Sequence, residues 1–220
     1  MGKQLKSYAC AVIVALGALA AAPTMSFAAE AETIILPMQK SDEGKGAAFK
    51  MSMRKLWAEH VVWTRSSIVA TIAGSRDASE IEARLLRNQV EIGAAFVPYY
   101  GPEAGAKLGG LLKEHILIAG EVIKASRKPS SARFLDADKR WHANAEEIAG
   151  YLNGLNPNLS KDMLLKMFND HLALTTKQAT SRLDKDWAAD IKAFDDVFTD
   201  ALKMADDLAD GVIKQYPEKM

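Results

Sequence analysis

Two stretches of this chain align with one another at a constant offset of 56 residues, without insertion or deletion. Arg84-Leu85-Leu86-Arg87-Asn88-Gln89-Val90-Glu91-Ile92 aligns with Arg140-Trp141-His142-Ala143-Asn144-Ala145-Glu146-Glu147-Ile148. Further on, Leu111-Leu112-Lys113-Glu114-His115-Ile116 aligns with Met167-Phe168-Asn169-Asp170-His171-Leu172. Arg, Asn-x-x-Glu-Ile and acid-His-aliphatic thus recur at matching distances. A repeated segment is a structural unit that buries its apolar face against a copy, so the pattern predicts a pseudo-symmetric helical bundle.

From Lys50 onward apolar residues recur three and four apart among abundant Ala, Leu, Lys and Glu, which is the period of amphipathic helices. Punctuation divides the chain into six helices, expected over about 48–73, 78–97, 102–126, 132–152, 160–182 and 184–212. Gly74 stops the first and Pro98 the second, Pro102 opens the third, and Ser160 caps the fifth. The expected fold is all-α: an up-and-down bundle of about six helices, with an internal two-fold repeat over 84–126 and 140–182. Ile34-Ile35-Leu36-Pro37 is the sole extended-looking run, read as a tether on the bundle.

The first residues read as an export signal. Lys3 and Lys6 precede an uncharged apolar run from Ala9 to Ala22, and Ser26-Phe27-Ala28 presents small residues where a signal peptidase cuts. Cleavage is expected after Ala28, giving a periplasmic or secreted protein with no membrane span once the signal is gone. The organisation is then a signal over 1–28, an extended or mobile segment over 29–47 and one helical domain over 48–217. Cys10 falls inside the signal, so the mature chain would carry no thiolate ligand, cysteine nucleophile or disulfide. Removing Lys3 and Lys6 turns 28 basic and 28 acidic residues into 26 and 28. Such a balance does not suit a nucleic-acid ligand.

The apolar stripes carry polar residues. His115 lies among Leu111, Leu112, Ile118, Ala119 and Val122; His171 among Met167, Phe168, Leu174 and Thr175; His60 among Leu56, Trp57, Trp63 and Thr64. Asn88 and Glu91 share a stripe with Leu85 and Ile92, and Asn144 and Glu147 with Trp141 and Ile148. Asp190 sits three after Trp187 and four before Phe194. If these faces meet, three imidazoles, two amides and three carboxylates converge. Neutral imidazole and carboxylate suit zinc, iron or manganese. His60, His115, His171, Glu91, Glu147 and Asp190 are therefore candidate ligands of a divalent transition metal, with Asn88 and Asn144 orienting them.

The same residues also fit an internal hydrogen-bond network that fixes helix register. Glu59, Glu114 and Asp170 directly precede the histidines but point about 100 degrees away, toward arginines or solvent. His142 is out of register and reads as a surface residue. Met163, Met167 and Met204 are spaced like core filler rather than a copper-binding run. Gly-x-Ser-x-Gly, His-Glu-x-x-His, phosphate-loop and dinucleotide motifs are missing from the sequence.

Leu56-Trp57-Ala58-Glu59-His60-Val61-Val62-Trp63-Thr64-Arg65, Arg84-Leu85-Leu86-Arg87-Asn88-Gln89, Pro98-Tyr99-Tyr100-Gly101 and the ending Gly211-Val212-Ile213-Lys214-Gln215-Tyr216-Pro217 resemble a family of exported bacterial helical proteins. The resemblance spans Leu56 to Pro217 and implies the helical fold. Members of that family often carry names such as glycosyltransferase or acetylglutamate kinase. Neither name finds a supporting motif here, and the resemblance transfers no catalytic residue. The reading is an exported binding module for a metal ion or small ligand. Its alternatives are a non-catalytic envelope protein with a buried polar network, and a metal-assisted hydrolase or oxidase.

Overall fold

The computed structural model describes residues 44–220. The expected signal, its cleavage site and the apolar tether lie outside the described residues. Six α-helices follow in order: Lys45–Ala73 (α1), Ala78–Tyr100 (α2), Pro102–Ala125 (α3), Ala132–Leu155 (α4), Lys161–Leu183 (α5) and Trp187–Gln215 (α6). A single 3-10 turn, Pro217–Lys219, closes the chain, and there is no strand among the described residues.

Local chemistry accounts for the helix ends. Ser131, Ser160 and Asp186 accept from the amides of Phe134, Met163 and Ala189, satisfying donors that the first helical turn leaves free. Gly74 ends α1 at φ 66°, and Gly101 makes the α2–α3 corner at φ 86°, both costly for a residue with a Cβ. Two boundaries differ from expectation. Pro98 does not stop α2; the helix continues to Tyr100, because a missing N–H costs one hydrogen bond near a helix end that packing recovers. The packing is aromatic: Tyr99 lies 4.8 Å from Phe49 and 5.9 Å from Tyr216. α6 starts at Trp187 rather than 184, since Lys185 adopts a left-handed φ of 61° that breaks the turn before it.

Each helix packs antiparallel on the next, and α6 returns against α1, closing a ring. Helices α1, α3 and α5 also touch one another inside it. The bundle is therefore three hairpins around a common axis, and the repeat occurs three times rather than twice. The hairpins are α1–α2, α3–α4 and α5–α6, and the ring closes where α6 meets α1. Buried positions on the even helices keep the 56-residue offset: Leu85, Trp141 and Val197; Ile92, Ile148 and Met204; Phe96, Leu152 and Leu208. On the odd helices Met53, Leu108 and Leu164 form one equivalent set, and Ile68, Ile123 and Ala179 another, which meets as its own apolar cluster.

The α2–α3 pair approaches closest. A Cβ on Gly93 would strike the Gly105 carbonyl oxygen and lie 2.9 Å from the Gly109 amide nitrogen. Helix backbones in such contact leave no room for a methyl group. Gly93→Ala is therefore expected to lower stability by about 1–3 kcal/mol in urea denaturation. Gly110→Ala, whose Cβ meets nothing within 4 Å, is expected to raise it by about 0.5–1 kcal/mol.

Candidate histidine centre

His60, His115 and His171 occupy equivalent positions on α1, α3 and α5, and each is at most 5% exposed. The fold brings them to one layer of the interior. The His60 and His171 rings lie 5.6 Å apart, with Trp57 5.5 Å from His60 and Trp141 5.4 Å from His115. The rings act on one another electrostatically: His171 and His115 both lower the pKa of His60, and His171 lowers that of His115.

In every case Nδ1 faces a polar side chain of the following helix. His115 Nδ1 lies 2.7 Å from Asn144 Oδ1. The Asn144 amide nitrogen donates to the Leu111 carbonyl at 3.2 Å, which fixes the amide orientation and makes Oδ1 the acceptor. The proton of neutral His115 therefore sits on Nδ1, and Nε2 keeps a free lone pair. Asn88 makes the equivalent bond to the Leu56 carbonyl at 3.0 Å. Its Oδ1, however, accepts from Gln89 Nε2 at 3.1 Å, and Gln89 Nε2 is the group that reaches His60 Nδ1, at 3.2 Å. In the third hairpin Asp200 replaces the asparagine, with Oδ2 3.6 Å from His171 Nδ1. That is too long for a hydrogen bond, and both atoms are buried without a partner. Trp57 Nε1, Trp141 Nε1, Thr64 Oγ1, Thr175 Oγ1 and Gln178 Nε2 are likewise buried and unpartnered. Thr64 and Thr175 each follow their histidine by four residues, one turn along the same stripe.

Burial disfavours the charged imidazole, so His60 falls well below the usual histidine value and His115 falls to about 3. The bond to Asn144 opposes the shift of His115 without cancelling it.

The carboxylates expected at the centre are elsewhere. Glu91 is held by Arg84 at 3.2 Å and Arg87 at 3.4 Å on the rim of α2. Glu147 is exposed on α4. Asp190 is buried, but two guanidiniums claim it: Arg65 at 2.9 and 3.0 Å, and Arg182 at 3.2 Å. The reason is angular. A residue three after the asparagine sits about 60 degrees off its stripe, enough to move a long side chain to the helix flank. Glu59 pairs with Arg84, Asp170 with Lys166, and Glu114 and His142 are exposed. Among the described residues no three His, Cys, Asp or Glu side chains are already set to hold a metal ion. Gln89, Asp200 and the two threonines join the centre unexpectedly. Asp200 had a signal, since it stands 56 residues after Asn144.

No protein-family model, curated protein or solved structure matches the chain.

Asn144→Ala would leave the His115 Nδ1 proton unpartnered and the Leu111 carbonyl without its side-chain donor. Stability should fall by about 1–3 kcal/mol in urea denaturation, the cost of one unsatisfied buried group, because the Leu111 carbonyl keeps its helix bond. A pH dependence also follows. Both shifted histidines are neutral in the folded chain and titrate near 6.5 when unfolded, so below that value the unfolded chain binds more protons. Their contribution is complete above about pH 6.5 and is lost as pH falls toward the folded values. Between about pH 6.5 and 5, where carboxylates titrate little, stability should drop with a slope approaching about 1.4 kcal/mol per pH unit for each. His115→Gln should flatten that slope by about half if the two contribute equally.

Proposed function

We propose that the bundle is a binding module, and that its ligand is a divalent transition metal held at the histidine centre by His60, His115 and His171. The observation that carries this reading is the meeting of three imidazoles in one buried layer, one of them with its Nε2 lone pair held free by Asn144. Such a ligand–partner arrangement, with Nδ1 tied and Nε2 open, is how proteins commonly orient metal-binding histidines. Support also comes from the unpartnered polar atoms around the layer, which an ion with bound water would satisfy. With the glutamates on the rim, the donors are nitrogen, which favours zinc or iron over manganese. Binding requires the rings to turn so that their nitrogens lie about 2 Å from a common point. The export signal read from Lys3 to Ala28 assigns the module to the periplasm or beyond.

A second reading is favoured by one contact. Gln89 Nε2, which also donates to the Leu85 carbonyl and Asn88 Oδ1, stands 3.2 Å from His60 Nδ1, and such a chain of amides around the ring suits a closed hydrogen-bond network rather than a ligand. Elemental analysis of untagged protein separates the two. One metal per chain is expected, lost in His115→Ala and in His171→Ala, together with a fall in melting temperature on adding EDTA. Each kcal/mol of lost binding energy corresponds to about 2–4 °C at this chain length. Metal-free protein with an EDTA-insensitive melt overturns the metal reading in favour of the network.

A further inference from the structure

The three hairpins are equivalent in the ring but not in chemistry. Where α1 and α3 place Leu56 and Leu111 four residues before the histidine, α5 places Met167. Where α2 and α4 place Ile92 and Ile148, α6 places Met204, and where they place Asn88 and Asn144 it places Asp200. Met163 precedes Met167 by one more turn. One face of α5 thus carries Met163, Met167 and His171 at intervals of four, and the facing side of α6 carries Asp200 and Met204 at the same interval.

This hairpin also opens to a cleft. A space of about 450 Å³ lies between α5 and α6, lined by Met163, Met167, Met204 and Asp200, with Asp162, Lys166, Asp170, Lys203 and Asp207 around them. Two of those carboxylates are neutralised along their own helices, Asp170 by Lys166 and Asp207 by Lys203. Asp162 and Asp200 remain, leaving the cleft with net negative charge. Met204 is fully buried and Met167 7% exposed, so both line the inner end of the cleft rather than its mouth. Asp200 lines the cleft, and its Oδ2 stands buried 3.6 Å from His171 Nδ1, both atoms unpartnered.

The geometry points to a binding site in the α5–α6 cleft for a soft monovalent cation of the copper(I) class, received by the thioethers of Met163, Met167 and Met204 beside the Asp200 carboxylate, with His171 behind them. Thioether donors select soft cations, whereas carboxylate and water suit hard ones. Methionine is unbranched and turns freely enough to bring its sulfur to an ion. The Asp200 charge offsets that of the cation, and the unpartnered His171 nitrogen supplies a further donor. The site does not require that the histidine centre hold a divalent metal.

Silver(I), which shares these ligand preferences and does not change oxidation state, is the probe. Calorimetric titration of the full chain with Cys10→Ser, in chloride-free buffer, should show one silver ion per chain. Met167→Leu and Met204→Leu conserve volume, so they should keep the melting temperature nearly unchanged. Each should weaken binding by about tenfold or more, as should Asp200→Asn. Met51→Leu, an exposed position on α1, should leave affinity unchanged. In the methyl-labelled protein, silver should shift the three cleft methionine resonances. The assignment is overturned if no saturable silver binding occurs, or if binding survives Met163→Leu, Met167→Leu and Met204→Leu combined. It is also overturned if binding is lost in His60→Ala and His115→Ala but not in the methionine variants. That last result would move the ion to the histidine centre, whereas metal-free histidines with intact silver binding would sink the divalent-metal reading alone.

Discussion

The bond from a buried asparagine to a backbone carbonyl of the preceding helix holds the ring of helices at one height. Asn144 reaches the Leu111 carbonyl and Asn88 the Leu56 carbonyl. A side-chain amide has one geometry in which to meet a helix carbonyl, so a slip of one residue leaves both without a partner. The surrounding interior of Ala, Leu and Ile has no such preference, because apolar ridges fit neighbouring grooves in several registers. An unmade buried hydrogen bond costs about 1–3 kcal/mol, comparable to a substantial part of a domain's net stability. The imidazole then depends on the amide. Asn144 can hold His115 only after its nitrogen has committed to Leu111, and this ordering makes the tautomer a consequence of helix register.

Approximate three-fold symmetry explains both what the interior shares and where it differs. Equivalent layers repeat around the ring, apolar where Phe96, Leu152 and Leu208 meet and imidazole one level away. In the first hairpin, Gln89 intervenes between amide and ring; in the second, asparagine meets histidine directly; in the third, a carboxylate stands just out of reach. The third is also the hairpin with methionine in the place of leucine and isoleucine, and with an open cleft beside it. Symmetry is relaxed in the place where chemistry varies, which is the pattern expected when one unit of a repeat takes on a task the others do not have.

Much of the fold was legible from local signals. Ser160 and Gly74 mark helix ends because one satisfies a terminal backbone group and the other accepts a left-handed φ, both short-range requirements. The inward turn of His60, His115 and His171 followed from their leucine, tryptophan and phenylalanine neighbours. The acidic partners were misjudged for a reason visible in Glu91. It lies on the edge of a buried stripe, and periodicity does not say whether an edge residue turns in or reaches for Arg84. Asp190 was judged by Trp187 and Phe194, yet Trp187 is 51% exposed and the carboxylate answers to Arg65 on another helix. Asp200 was overlooked because its copy of the motif reads Asp-x-x-Lys-Met, in which only the spacing survives.

Sequence alone determined six helices, their faces and the 56-residue repeat, since helical period and end-capping act within a few residues. Tertiary structure decided that the repeat closes as three hairpins, with α6 meeting α1 across nearly the whole length of the described chain. It also decided which polar group each histidine faces. Both depend on contacts between helices far apart in sequence, and a helix face specifies the angle at which it seeks a neighbour but not the neighbour that arrives.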